Sequence, residues 1–152
     1  MRRLTKGSAA FAAVVAMVAG FEGLRTAAYR DPVGIPTICF GETKGVKMGD
    51  KKTADECRDL LGDRLIEFSQ GVDKCLKVEV PAYTYAAFVS FSYNVGVGAF
   101  CSSTLVKKAN AGDIMGACNE LPRWTRAKGI ELPGLVARRA EERRWCLLGL
   151  LA

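Results

Sequence analysis

The sequence predicts a mainly helical α+β fold, in which a small β-containing lobe and a helical lobe enclose a cleft. Its length of 152 residues fits one domain. Residues 24–50 are rich in glycine and turn-forming residues, and short β runs fit at 37–40 and near 46–48. From residue 53 onwards, apolar residues recur at helical spacing.

The helical part has recognisable starts and stops. Thr53 and Glu56 form a capping-box pattern that opens a helix, and Gly71 is expected to end it. Pro81 fits the first turn of a core helix over 83–95. Short helices fit 103–109 and 113–121, and Pro133 opens a last helix to about residue 148.

The N-terminus combines a basic start with an uncharged run rich in Ala, Val and Gly over residues 7–21. Three interpretations remain open: the buried first helix of the domain, an uncleaved membrane anchor that later leaves the membrane, or a cleaved signal peptide. Cleavage after Ala16 or Ala19 would leave Glu22 beside a free terminus. We therefore divide the chain into an apolar segment, 1–20, and a domain, 21–152, with a β-containing lobe at about 21–55 and a helical lobe at about 56–152.

Two carboxylates and a hydroxyl occupy the stretch 21–43. Asp31 follows Glu22 by nine residues, and Thr37 comes six residues later. The intervening Pro32, Gly34 and Pro36 favour turns, so Glu22 can end a helix that faces Asp31 and Thr37 on a loop or strand. Two carboxyl groups across a cleft are the minimum apparatus for glycosidic-bond cleavage, one as acid and one as base or nucleophile.

These residues lie in motifs that resemble the phage-type lysozymes, endolysins that cut bacterial peptidoglycan. The resemblance spans about residues 21–148 and depends on an ordered set of phrases: Phe21-Glu22-Gly23, Ala28-Tyr29-Arg30-Asp31, Thr37-Ile38, Phe88-Val89-Ser90-Phe91, Asn94-Val95-Gly96 and Leu132-Pro133-Gly134-Leu135. Cys39 replaces a usual Gly, and Glu42 stands where the family often has His.

The resemblance implies an inverting muramidase that hydrolyses the β-1,4 bond between N-acetylmuramic acid and N-acetylglucosamine. Glu22 would be the general acid and Asp31 the base or water-positioning carboxylate. The Thr37 hydroxyl would hold either the attacking water or the Asp31 carboxylate. Tyr29, Trp124 and Glu42 are candidate substrate contacts, although core packing is an equally good interpretation of Trp124. The helix that opens near residue 53 would join the two lobes.

Charge and composition restrict the partners. The formal charge of +6 favours anionic partners, and the absence of His removes the commonest zinc ligand and the usual base of a nucleophilic triad. We expect no cofactor, no metal, no nucleic acid and a monomer. Arginines 138, 139, 143 and 144 alternate with glutamates 141 and 142, which is typical of a solvated helix face; contact with wall polymer or membrane is the alternative.

The six cysteines, at positions 39, 57, 75, 101, 118 and 146, are numerous for a short chain. An even count without CxxC spacing suggests three disulfides in an oxidising compartment, and six buried thiols are the alternative. The family resemblance implies a Cys75–Cys101 pair, and we also expect Cys39–Cys57 and Cys118–Cys146.

Taken together, these features predict an endolysin in the periplasm of a Gram-negative host, and peptidoglycan as its substrate. One group of phage endolysins begins with a signal-anchor that is released from the membrane, and residues 4–21 could provide such a transient inner-membrane association. The alternative function is a non-catalytic cationic protein that binds wall or membrane.

Overall fold

The computed structural model describes residues 4–151. Its elements follow the chain as α1 (Ala9–Glu22), β1 (Arg25–Arg30), β2 (Pro36–Cys39), α2 (Ala54–Cys75), α3 (Ala82–Val95), α4 (Val97–Ser102), α5 (Thr104–Asn110), α6 (Ile114–Cys118), a 3₁₀ turn (Leu121–Arg123), β3 (Arg126–Ala127), β4 (Ile130–Glu131) and α7 (Pro133–Gly149). The expected mainly helical α+β fold is confirmed.

Helix α1 is an integral part of the core. Ser8 caps its start by accepting a hydrogen bond from the Phe11 amide at 3.1 Å, and Gly23, at φ 73°, ends it just after Glu22. The face that packs inward is small and apolar: Ala10, Ala13, Val14, Met17 and Val18. The Phe11 ring fills the space over Gly62 of α2, where an added Cβ would come within 2.7 Å of it. Within residues 4–151, no helix has the length and apolar character needed to span a membrane.

Strands β1 and β2 form an antiparallel hairpin that projects beside the end of α1. Tyr29 pairs with Thr37, and an irregularity between Arg25 and Tyr29 bends the first strand. The β run predicted near 46–48 is wrong: this segment forms turns around Gly45 and Gly49, whose positive φ values of 69° and 100° suit glycine. The turns lead directly into α2.

Helix α2 begins as predicted but ends later. The capping box is present, with the Glu56 amide donating to Thr53 Oγ1 at 3.1 Å and the Thr53 amide donating to Glu56 Oε1 at 2.8 Å. Gly71 does not end the helix, which continues to Cys75. The glycine is required for close packing, because a Cβ there would lie 2.7 Å from a methyl group of Val97.

Helix α3 is the centre of the helical lobe. Nine consecutive residues from Thr84 to Ser92 are buried, and α3 packs against α1, α2 and α7. Phe88 and Phe91 contact the ring of Phe100 from α4, with centroids 6.1 and 6.0 Å apart. Helices α5 and α6 and the 3₁₀ turn complete the lobe and lead through the short β3–β4 hairpin to α7.

All six cysteines are paired. The bonds join Cys39 to Cys57, Cys75 to Cys101 and Cys118 to Cys146, which are the three pairs expected from the sequence. The first links the end of β2 to α2, the second links α2 to α4, and the third links α6 to α7. The bonds therefore brace both the hairpin and the helical lobe.

Candidate active site

A pocket of about 370 Å³ lies at the end of α1, between the loop 41–44 that follows the hairpin and helices α2 and α3. It is lined by Glu22, Gly41, Glu42, Thr43, Lys44, Arg64, Phe68 and Tyr93. A second hollow of about 440 Å³ shares Glu42, Lys44 and Arg64 with it and extends along α2. The two hollows adjoin each other at these shared residues, and both are open at the surface. Within the described residues, no cluster of His, Cys, Asp or Glu could hold a metal ion.

Glu22 is held at the edge of this pocket by the last helix. Its Oε1 accepts a charge-assisted hydrogen bond from Arg138, whose side chain is only 11% exposed, while that of Glu22 is 26% exposed. The Arg138 guanidinium also lies over the Phe21 ring, 4.9 Å from its centre. Arg138 therefore fixes both the carboxylate and the residue before it.

Behind Arg138 lies a second, fully buried ion pair. Arg139 Nε is 2.8 Å from Glu142 Oε1, and their side chains are 1% and 0% exposed. Ser90 donates to Glu142 at 2.6 Å, and Arg139 donates to Asn94 at 2.9 Å. Burial raises the pKa of Glu142 to about 7 and lowers that of Arg139. The solvated-face interpretation is thus wrong for these two residues and for Arg138, which join α7 to α1 and α3.

The hairpin holds the second carboxylate and the hydroxyl. Asp31 Oδ1 accepts hydrogen bonds from the amides of Val33 and Ile35, at 2.9 and 2.8 Å, and so builds the turn that follows β1. Thr37 is 4% exposed, and its Oγ1 donates to the Ile35 carbonyl at 2.8 Å. Asp31 and Thr37 are therefore bonded to the same turn, and neither is among the residues that line the pocket around Glu22.

The remaining candidates lie in different places. Tyr29 pairs with Thr37 across the hairpin and lies under the Arg25 guanidinium, 4.4 Å from the ring centre. Trp124 packs its ring edge-on against Phe91, with centroids 5.2 Å apart, and lies outside the pocket lining. Glu42 lines the pocket, but its carboxylate is bonded to Arg64.

Sequence reasoning missed Tyr93 as a pocket residue. Its ring packs edge-on against Phe68 with centroids 5.1 Å apart, and its hydroxyl donates to the Phe40 carbonyl at 3.3 Å. Burial, with smaller contributions from Glu22 and Glu42, raises its pKa to about 12. It therefore stays protonated at neutral pH. In the sequence, Tyr93 is one apolar residue of a predicted core helix, and nothing in that pattern indicates that it lines the pocket.

The phage lysozyme family model matches residues 19–142, a range that includes Glu22, the hairpin, α2, α3 and most of the chain beyond. The chain belongs to the phage lysozyme family. It is a lysozyme-type glycoside hydrolase, a phage endolysin that degrades peptidoglycan for host lysis.

Relatives and solved structures support the assignment. The SAR-endolysin of bacteriophage PS119 is 46% identical over 131 residues, which cover 86% of this endolysin and 78% of the relative. The endolysin from Escherichia coli O157:H7 phage FAHEc1 superimposes with a TM-score of 0.84 at 33% identity, covering 97% of this chain and 96% of that one.

The P1 phage endolysin Lyz offers a comparison between two states. Its active form matches this chain with a TM-score of 0.83 at 26% identity, over 91% of this chain and 84% of that one. Its secreted inactive form matches with a TM-score of 0.63 at 20% identity, over 95% and 97% of the two chains. The fold described here is thus more similar to the active form.

Proposed function

We propose that the endolysin hydrolyses the β-1,4 bond between N-acetylmuramic acid and N-acetylglucosamine with inversion at the anomeric carbon. The observation that carries this proposal is the position of Glu22, a partly exposed carboxylate at a helix end that lines an open pocket next to a second open hollow along α2. Glu22 would donate a proton to the glycosidic oxygen as the bond to the anomeric carbon breaks.

In this scheme, the hairpin supplies the water. Asp31 uses Oδ1 for the turn, which leaves Oδ2 to take a proton from the water that attacks the anomeric carbon. The Thr37 hydroxyl already donates its hydrogen to Ile35, so it would hold the water by accepting a hydrogen bond. After the products leave, the proton on Asp31 is lost to solvent and Glu22 is reprotonated, so the cycle balances.

Product analysis tests this function. Purified Gram-negative peptidoglycan is incubated with the endolysin, and new reducing ends are identified by mass spectrometry as muramic acid or glucosamine. We expect muramic acid ends, with the α-anomer formed first in an NMR time course. Prompt appearance of the β-anomer would contradict inversion, and binding to sacculi without new reducing ends would support the non-catalytic alternative.

Asp31→Asn provides a sharper test of the base. The amide oxygen of asparagine can still accept from Val33 and Ile35, so the turn is kept while the base is lost. We expect turnover to fall by about 100-fold or more, the usual contribution of general base help, with an unchanged melting temperature. Asp113→Asn is the matched control, because Asp113 is exposed and its Oδ1 likewise accepts a backbone hydrogen bond, from Gly116 at 2.9 Å. A turnover of Asp31→Asn within tenfold of the wild-type value would show that Asp31 is not the base.

We further propose that residues 4–21 first enter the inner membrane during export and leave it before the enzyme acts. The similarity to SAR-endolysins supports the proposed membrane stage. The likeness to the active form of the P1 phage endolysin supports the described fold as the later, acting state. In the folded state, the buried side chains of this segment contact protein core. While the same side chains lie in lipid, Glu22 would be held at the membrane surface, away from its place beside Arg138.

Exposed positions of α1 allow the proposed membrane entry and release to be tested without disturbing the core. Ala12, Ala16 and Gly20 face solvent, so replacing them by Leu strengthens the apolar run by a few tenths of a kcal/mol per residue while the folded packing is kept. We expect the triple variant to remain in the membrane fraction and to delay lysis. The control is Gln70→Leu, exposed on α2. Wild-type protein found only in the cytoplasm, or cleaved before Glu22, would refute release.

A further inference from the structure

The loop from Cys39 to Lys44, which we call the wall loop, forms one side of the pocket opposite Glu22. Gly41 lies next to the acid, since an added Cβ there would be in ordinary van der Waals contact with Glu22 Oε2, at 3.5 Å. Gly41 also has φ 87°, so no other residue fits here without strain. The position of this loop therefore sets the width of the space beside the acid.

An ion pair ties the wall loop to α2. Arg64 donates to Glu42 through Nε at 2.7 Å and through a terminal nitrogen at 2.8 Å, in the two-bond arrangement that is the strongest form of such a pair. The Glu42 side chain is 9% exposed and that of Arg64 22% exposed, so water screens the pair little. The pair joins residues 22 apart in sequence.

This bonding leaves Glu42 little capacity to bind a sugar. Its Oε1 accepts from both Arg64 and the Lys44 amide, the latter at 2.9 Å, and its Oε2 accepts from Arg64. Hydrogen bonds from Arg64 hold the pKa of Glu42 below its usual range, so it stays ionised. The bond to Lys44 closes the loop on itself. Glu42 thus fixes the shape of the wall loop as well as its distance from α2.

A covalent link reaches the same helix from the other end of the wall loop. Cys39 is bonded to Cys57, two turns of α2 before Arg64. Gly41 lies between the two links, and Tyr93 supports the loop at the Phe40 carbonyl. The loop backbone next to Glu22 is thus held on both sides, once by a disulfide and once by an ion pair.

We propose that Glu42 is a positioning residue: through Arg64 it holds the wall loop against Glu22, and it does not bind substrate. The inference rests on the glycosidase function proposed above. It assigns a role to the glutamate that stands where the family often has histidine. An ionised glutamate paired with arginine keeps this link intact across the pH range in which a histidine would titrate.

Steady-state kinetics on soluble peptidoglycan fragments test the proposal. We expect Glu42→Gln and Arg64→Gln each to lower kcat about tenfold with KM within about twofold, since a 1 Å displacement can cost roughly 100-fold. The kcat of the double variant should be no lower than that of either single variant, because both substitutions remove the same link. Arg58→Gln removes an exposed ion pair with Asp55 on the same helix and serves as the control, with kcat close to wild type.

The possible outcomes separate this proposal from the proposed function. A wild type that releases no reducing ends would refute the function itself. An active wild type with a raised KM and unchanged kcat in Glu42→Gln would show direct substrate binding and overturn the positioning role. The positioning role would also be overturned if the two reductions in kcat multiplied in the double variant, or if both single variants had the wild-type kcat.

A variant without the covalent link adds a second readout. Cys39 has φ 63°, so Cys39→Gly with Cys57→Ala removes the disulfide and leaves a residue that tolerates this conformation. Circular dichroism confirms folding before the assay. In this background, we expect Glu42→Gln to lower kcat by more than in the wild type, because the ion pair is then the remaining link to α2. An equal loss in both backgrounds would overturn the shared role of the two links.

Discussion

Glu22→Gln is expected to lower turnover at least about 100-fold while the fold is retained. Glutamine keeps the size of the side chain and an oxygen that can accept from Arg138, but it has no proton to donate to the leaving group. General acid help is worth about 10²–10⁴ in rate, which sets the lower bound. The measurement is the release of reducing ends from peptidoglycan, with circular dichroism on the same sample.

The control for this variant is Glu131→Gln, which removes an exposed carboxylate far along the chain and should keep wild-type activity. Glu22→Gln also removes the ion-pair partner of the nearly buried Arg138. The melting temperature of the variant is therefore expected to fall somewhat, and the assay must be run well below that temperature. Activity near that of the wild type would exclude Glu22 as the acid.

Reduction of all three disulfides is expected to have the largest effect on stability. The bonds close loops with sequence separations of 18, 26 and 28 residues. In the chain-entropy model, each such loop adds about 3 kcal/mol, so together they add about 9 kcal/mol. A domain of this kind has about 5–15 kcal/mol in total, so the reduced chain should be largely unfolded at 37 °C.

The measurement is thermal unfolding with and without reductant, with thiols trapped by alkylation and counted by mass spectrometry. At about 2–4 °C per kcal/mol, the melting temperature should fall by about 20–35 °C. The double variant Cys118→Ser with Cys146→Ser should show about a third of this fall in melting temperature. An unchanged melting temperature with six alkylated thiols would show that the bonds contribute nothing, and six free thiols before reduction would show that they do not form.

Local signals in the sequence predicted the helices well. The capping box at Thr53 and the proline at 133 mark helix starts through contacts within one turn, so both are readable without tertiary information. The end of α2 was misplaced because Gly71 is small for packing against Val97, a contact between elements. Strands β3 and β4, of two residues each, are too short to give an alternating pattern.

The candidate site residues could be proposed from the sequence for the same reason. Glu22, Asp31 and Thr37 lie within one stretch of chain, and their spacing around turn-forming residues is a local pattern. The residues that position them are distant: Arg138 reaches Glu22 across 116 positions, and Arg64 reaches Glu42 across 22. A charge on a helix surface looks the same in sequence whether it meets water or a buried partner.

The placement of the three disulfides has a consequence for the order in which the molecule is completed. Every bond begins at or after Cys39, so no disulfide holds α1 to the rest of the molecule. Among the described residues, α1 is held by side-chain packing and by the Glu22–Arg138 ion pair, and the Lys6–Asp63 ion pair lies just before it. The detachment of α1 is a local opening whose free energy lies below that of global unfolding. The three disulfides can therefore form before α1 packs, and Glu22, the proposed acid, reaches Arg138 only when α1 is in place.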